Sequence, residues 1–299
     1  MTEDKWKASK KASDSPWKKR ADAPARPPVR RRREQMPEAD ETEARPQRPS
    51  GEMRLYGINA CLAAFARRPQ QLRKVYLLES RIAELKPVLA WCVKHRLGYR
   101  VVESPDLDKL TGSRHHEGIC FEMLRPPALS LDDLLAALPK APAPSLLIWL
   151  DGVGNPHNLG ALLRSAAHFG VSGVIVPATS SLDLSGAAAR IAEGGAEVVP
   201  LVRVEDDMLA LASLRAAGYR ITATLPRGGE DLYATRLEPR KVLVFGAEGE
   251  GMSKSLVEAA DHKVSIPGSG VVESLNISVS AAVVLGEYWR QLHAGAMRR

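Results

Sequence analysis

From residue 146 onward, short apolar runs alternate with helical patterns, and that alternation limits the chain to an α/β sheet. Strands are expected at 146–151, 171–176, 198–203, 220–225, 242–246 and 262–266, and helices at 158–169, 184–194, 206–217, 253–260 and 276–293. The strands are almost continuously apolar rather than alternating. Both of their faces are therefore buried, which is the pattern of a mostly parallel sheet covered by helices on both sides. Aromatic residues make up only 5% of the chain, so this core is mainly aliphatic.

Ligands of open parallel sheets bind beyond the carboxyl ends of the strands. Three segments fall there. LDGVGNPHNLGALLRSAAHFGVSGVIV (150–176) ends a strand at Asp151, bends at Gly152 and Gly154, and opens a helix at Asn158, with Arg164 six residues on. VLVFGAEGEGMS (242–253) runs into a glycine-rich turn carrying Glu248 and Glu250. VSIPGSGVVESLNIS (264–278) places Glu273, Ser274, Asn276 and Ser278 at the mouth of a long apolar helix. Gly246, Gly249 and Gly251 do not form GxGxxG, no GxxxxGK[ST] is present, and two glutamates in the turn would repel a pyrophosphate. A nucleoside without phosphates, held by backbone N–H and C=O groups, suits these loops better.

The chain before this sheet divides into three parts. Residues 53–124 alternate α and β in about 70 positions and read as a small three-layer α/β unit. In it YGINACLAAFARRP forms a helix capped by Asn59, LRKVYLLES and YRVVE form strands, RIAELKPVLAWCVKHRL forms a helix between them, and SPDLDKLTGSRHHEGICFEML closes with a helix, a loop and a strand. Residues 125–145 read as a linker with a short helix. Residues 1–50 hold seven prolines and no Leu, Ile or Phe, so burial cannot offset their chain entropy and a disordered tail is expected. That tail carries 14 Lys and Arg against 9 Asp and Glu, and the remaining residues carry 28 against 26. Its positive charge lies in the first 33 residues, where Trp6 and Trp17 stand beside lysines, a composition that fits attraction to RNA.

Cys61, Cys92 and Cys120 form no CxxC pair, which argues against a disulfide framework and a zinc site and for the reducing cytoplasm. No apolar run reaches the ~18 residues of a membrane span.

The trio NPHNLGALLR (155–164), FGAEGEGMS (245–253) and IPGSGVVESLNISVSAA (266–282) resembles the three motifs of the SpoU-type RNA 2′-O-ribose methyltransferases, members of the SPOUT class. The likeness spans about residues 145–295. Residues 53–124 resemble the ribosomal-protein-like RNA-binding domain that precedes the catalytic domain in many members. The tail, RLYGINACLAAFARRP and HHEGICFEML point to a subgroup of tRNA/rRNA methyltransferases. The resemblance implies a trefoil-knotted catalytic domain over 146–295, a homodimer, and S-adenosylmethionine as methyl donor. It implies that Gly246, Ile266 and Leu275 hold the donor, with Thr224 and Leu225 on its adenine side. It makes Asn158, Arg164, Glu248, Ser274 and Asn276 the functional polar residues. The dimer contact is implied near the active site, with Tyr288, Trp289 and Leu292 of the last helix suited to it.

Other readings compete at each position. Asn158 and Asn276 also fit N-caps, Arg164 a helix-pairing residue, Glu248 a turn residue, and Ser278 and Ser280 close helix packing. His115 and His116 are expected to contact RNA or the catalytic domain, and His157 to be a loop residue. A non-catalytic RNA-binding or ribosome-assembly factor of the same fold is the main rival function, and a nicotinamide-dependent enzyme the second.

Overall fold

The computed structural model describes residues 51–294, so the expected tail at 1–50 and residues 295–299 lie outside it. Two sheets organise the described residues. The first is built by β1 (Glu52–Tyr56), α1 (Ile58–Arg67), β2 (Leu72–Leu77), α2 (Lys86–Lys94), β3 (Gly98–Val101), α3 (Ser104–Thr111) and β4 (Ile119–Leu124). Its order is β1-β4-β2-β3, with β4 antiparallel to β1 and β2, and β3 parallel to β2. Side chains alternate along the strands as the pleat demands. Met53, Leu55, Val75, Leu77, Phe121 and Met123 face α1 and α2, while Tyr56, Tyr76 and Cys120 face Leu107 of α3.

The sequence reading contains no β1, because EMRLY passes into α1 with Gly57 alone between them. The expected Asn59 cap is corrected too. Gly57 takes the N-cap position at φ 87°, and Glu117 Oε2 accepts from Ile58 N at 2.9 Å. His116, expected to contact RNA or the catalytic domain, turns inward instead. It is buried, its Nδ1 accepts from Gly118 N at 2.9 Å, and its Nε2 lies 3.2 Å from Asp108 Oδ1. It ties α3 to the start of β4.

After α4 (Leu131–Ala137), the second sheet is built by β5 (Ser145–Asp151), α5 (Pro156–His168), β6 (Gly173–Pro177), α6 (Gly186–Ala192), β7 (Leu201–Val204), α7 (Asp207–Ala216), β8 (Arg220–Thr224), β9 (Glu230–Asp231), β10 (Arg240–Gly246), α8 (Lys254–Ala259), β11 (His262–Ser265) and α9 (Ile277–His293). The order is β7-β6-β5-β10-β8-β11-β9, and every pairing is parallel. The short β9 is absent from the sequence reading, and Ile266 falls just past the end of its strand.

Strands β5 and β10 are covered on both faces. Leu146, Ile148, Leu150, Leu243 and Phe245 pack against α5 and α9, and Leu147, Trp149, Val242 and Val244 against α4, α7 and α8. Each such side chain contributes about 1.5–3 kcal/mol by leaving water. Leu131 and Leu134 of α4 are buried in that second face, so residues 125–145 are partly built into the sheet's core. Helix α9 buries Ile277, Ala281, Val284, Leu285 and Tyr288, one stripe at helical spacing. No described helix is long and apolar enough to cross a membrane.

The register brings four strand ends side by side. Gly246 pairs with Asp151, Phe245 with Thr224, and Thr224 with Val264. The three sequence segments singled out above leave the sheet at this edge.

Candidate functional site

A cavity of about 220 Å³ opens beyond these strand ends. Thr224, Leu225, Gly246, Ile266 and Leu275, the five expected donor-binding residues, all line it, as do Glu248 and Ser274. The backbone does much of the shaping. Leu225 N donates to Val264 O at 2.8 Å, and Thr224 Oγ1 donates to Val244 O at 2.8 Å, closing the ends of neighbouring strands. Ala247 and Gly251 exchange two backbone hydrogen bonds of 2.9 and 3.0 Å, folding the residues between them into a tight turn. That turn comes down on β10 so closely that a Cβ on Gly246 would sit 2.5 Å from the Gly251 carbonyl carbon. No residue but glycine ends β10 without moving the turn.

Beside the cavity, the three motifs meet in one hydrogen-bonded group. Glu248 Oε1 accepts from Asn276 Nδ2 at 2.9 Å, from Ile277 N at 3.2 Å and from Asn158 Nδ2 at 3.3 Å, and Asn276 Nδ2 also lies 3.1 Å from Asn158 Oδ1. Local chemistry explains how each side chain comes to be there. Asn155, not Asn158, caps α5, accepting from His157 N at 2.9 Å. Asn158 is thereby left inside the first turn, buried and aimed at the turn of Glu248. Asn276 does cap α9, its Oδ1 accepting from Ser278 N at 2.9 Å and Ser278 Oγ at 2.6 Å. The amide has two ends, and Nδ2 remains to join the group, so capping and site role coexist in one residue. The cap position also turns α9's first backbone N–H toward a carboxylate, where the helix dipole favours one.

Arg164 stands apart. It lies on α5 nearly two turns beyond Asn158, does not line its own chain's cavity, and pairs with Glu193 Oε1 at 2.9 Å. Sequence reasoning also left out cavity-lining Ser280, Met252 and Glu273. Ser280 was assigned to packing, although its spacing of four from Asn276 places the two on one helix face. Tyr288, expected at a subunit contact, is buried instead, its hydroxyl donating to Pro239 O at 2.6 Å.

Comparison with known proteins places this geometry. Residues 145–286 match the SpoU rRNA methylase family and residues 54–127 the RNA 2′-O ribose methyltransferase substrate-binding family. The 23S rRNA (guanosine-2′-O-)-methyltransferase RlmB of Yersinia pestis is 38% identical over 79% of this chain and 96% of its own. The chain belongs to the SpoU methylase family. Another relative, the uncharacterised tRNA/rRNA methyltransferase YfiF of Escherichia coli O157:H7, is 39% identical over 80% of this chain and 68% of its own. The solved SpoU methyltransferase AviRb of Streptomyces viridochromogenes, in complex with AdoMet, shares the fold with a TM-score of 0.67 at 24% identity, covering 82% of this chain and 92% of that one.

The SpoU match and the substrate-binding match meet at a joint between α6 and the first sheet. Arg68 and Glu197 form a two-bond ion pair of 2.7 and 2.8 Å, with their side chains only 9% and 8% exposed. The third guanidinium nitrogen donates to Gln71 Oε1 at 2.7 Å and Leu124 O at 2.6 Å. Around this pair two glycines sit tight against side chains of the facing region. A Cβ on Gly57 would lie 2.5 Å from Arg190 Cγ, and one on Gly194 would lie 2.8 Å from Ala63 Cβ.

Proposed function

We propose that the chain transfers a methyl group from S-adenosylmethionine to a ribose 2′-hydroxyl of tRNA or rRNA. The observation carrying this reading is one cavity at the strand ends, lined by all five expected donor residues and flanked by the hydrogen-bonded Asn158, Glu248 and Asn276. The residues present fit the donor. Gly246 lets the 247–251 turn close against the strand end and form part of the wall, the wall is a mix of aliphatic side chains and backbone groups, and no basic side chain lines it to call for phosphates. When bound, the donor supplies an electrophilic methyl on sulfonium.

The chain's own residues supply position and charge. Asn158 and Asn276 hold the hydroxyl in line, and positioning alone accounts for a large share of such a reaction's acceleration. Of the carboxylates on the cavity wall, Glu248 is held by three N–H donors and is the positioned acceptor for the hydroxyl proton. Ser274 contributes a hydroxyl to the same wall. A guanidinium is a hydrogen-bond donor with no acceptor, so Arg164 clamps an RNA phosphate and stabilises developing oxyanion rather than removing a proton.

The same reading makes 53–124 the RNA-binding domain, 125–145 a connecting segment, 146–295 a trefoil-knotted catalytic domain and 1–50 an RNA-attracting tail, in a cytoplasmic protein. The strand order supports the knot, since the chain crosses β11 beyond β8 before α9 returns to pack on the α5 side. It also includes a homodimer through the exposed Val279, Trp289 and Leu292 of α9. Because Arg164 does not line its own cavity, a second copy is the arrangement that brings one there.

Purified protein with tritiated donor and total RNA from cells lacking the protein should place label in ribose. Donor binding without label would favour the non-catalytic factor. Arg164→Ala should abolish turnover while donor affinity stays within about twofold. Mixing inactive Arg164→Ala with inactive Asn276→Ala should restore roughly a quarter of the activity if Arg164 acts across the dimer, because half of randomly mixed dimers then hold one intact site.

A further inference from the structure

Glu193 closes α6 with φ 46° and ψ 45°, a left-handed conformation that costs a non-glycine residue about 1–2 kcal/mol. The sequence at this point is Glu193-Gly194-Gly195, so the residue type best suited to that conformation stands immediately after it. The side chain must therefore be judged by what it does. Its Oε1 pairs with Arg164 at 2.9 Å, and its Oε2 lies 3.5 Å from Asn59 Nδ2 in the first turn of α1. Fold stability does not explain the arrangement. Arg164 is 59% exposed and Glu193 41%, and exposed pairs joined by one bond contribute little. Four residues on, Glu197 meets Arg68 in a buried two-bond pair, which shows what a stabilising contact from the same turn looks like.

We propose that Glu193 is a built-in competitor for Arg164, a carboxylate that occupies the guanidinium in the free enzyme and that an RNA phosphate must displace. This rests on the reading of Arg164 as the phosphate clamp. A carboxylate and a phosphate oxygen make the same planar contact with a guanidinium, so only one of them holds a given edge at a time. The pair's weakness is what makes the exchange feasible. Asn59 of α1 lies 3.5 Å from the second oxygen, so the competitor sits between the two family-matched regions of the chain.

Glu193→Gln keeps shape and removes the charge. It should tighten RNA binding by about 1.4- to fivefold, the span of an exposed pair, and lower KM for RNA by the same factor without lowering kcat. Glu193→Asn, which suits the left-handed conformation, should do likewise and guards against a folding defect in the first variant. Removing any negative charge near RNA also tightens binding, so the deciding arm is Glu193→Gln in the Arg164→Ala background, read by filter binding of total RNA. No gain in that background supports competition, and an equal gain there overturns it. A fall in kcat for Glu193→Gln overturns it too, because Glu193 would then be orienting Arg164 for the reaction. If Arg164→Ala itself turns over RNA normally, the clamp reading fails rather than the pairing between the two side chains.

Discussion

The two ends of β10 solve opposite problems. At its start, Arg240 and Lys241 are buried and every direction around them is filled. Arg240 donates to Ala217 O at 2.8 Å, Pro139 O at 2.7 Å and Ala143 O at 3.2 Å, and lies over the Tyr219 ring at 4.2 Å. Lys241 Nζ reaches Glu238 Oε2 at 2.6 Å and Thr222 Oγ1 at 2.9 Å, and burial pulls its pKa down with Glu238 opposing. At its finish six residues later Gly246 has no side chain, so the 247–251 turn closes against the strand end as part of a cavity wall. Long side chains lock one end of the strand, and at the other their absence lets a turn come close enough to shape a cavity. Stability and ligand space are thus separated along a single strand.

The sharpest way to break that contrast is to put a side chain at the open end. Gly246→Val should cut donor affinity at least about 100-fold in calorimetry, because its Cβ starts 2.5 Å from the Gly251 backbone and the turn must move away. If the turn relaxes cheaply and donor still binds, the cavity is not shaped by Gly246. At the locked end, Arg240→Ala should cost about 3 kcal/mol in denaturant unfolding, since three carbonyls lose their donor, while donor affinity in the folded protein changes little. A matching loss in donor affinity would join the two ends that the geometry separates.

Asn276→Ala is smaller in stability, about 1 kcal/mol for the lost cap, yet it should reduce turnover far more than it reduces Tm. Proportional losses would make Asn276 a cap alone. The smallest effect belongs to Tyr288, which burial, with Tyr219 adding to it, pushes from 10.0 up to about 12. The unfolded chain loses that proton near pH 10 and the folded chain holds it longer, so the contribution is complete below pH 10 and is lost as pH rises toward 12. Tyr288→Phe should lower stability by about 1 kcal/mol at neutral pH and flatten the alkaline part of the stability curve. An unchanged alkaline slope would show that other groups govern it.

Much of this was legible before any coordinates, and the reason is periodicity. The apolar strands of 146–266 announce a parallel sheet, and a parallel sheet says where its loops converge, so the segments carrying Asn158, Glu248 and Asn276 could be grouped across 118 residues, while the choice of those three side chains came from the resemblance to the SpoU-type motifs. The remainder depended on contacts that leave no local trace. Arg68 and Glu197 are 129 residues apart and neither lies in a distinctive pattern. Strand β1 was hidden because one glycine separates it from a helix, and the Asn59 cap was misplaced because a carboxylate 59 residues on from Ile58, Glu117 in the loop before β4, does that work instead. Tyr288 shows the limit of pattern in the other direction. An aromatic near the end of a long terminal helix reads as surface until the loop at Pro239 is seen to cover it.

The joint at Gly57 and Gly194 has a consequence for what the chain tolerates there. Both glycines hold positive φ, and an added methyl would run into Arg190 at the first and Ala63 at the second. A larger residue at either place is strained twice over, by its own backbone and by the neighbour it would push aside, so the seam between the two family-matched regions is cut to the size of a hydrogen atom.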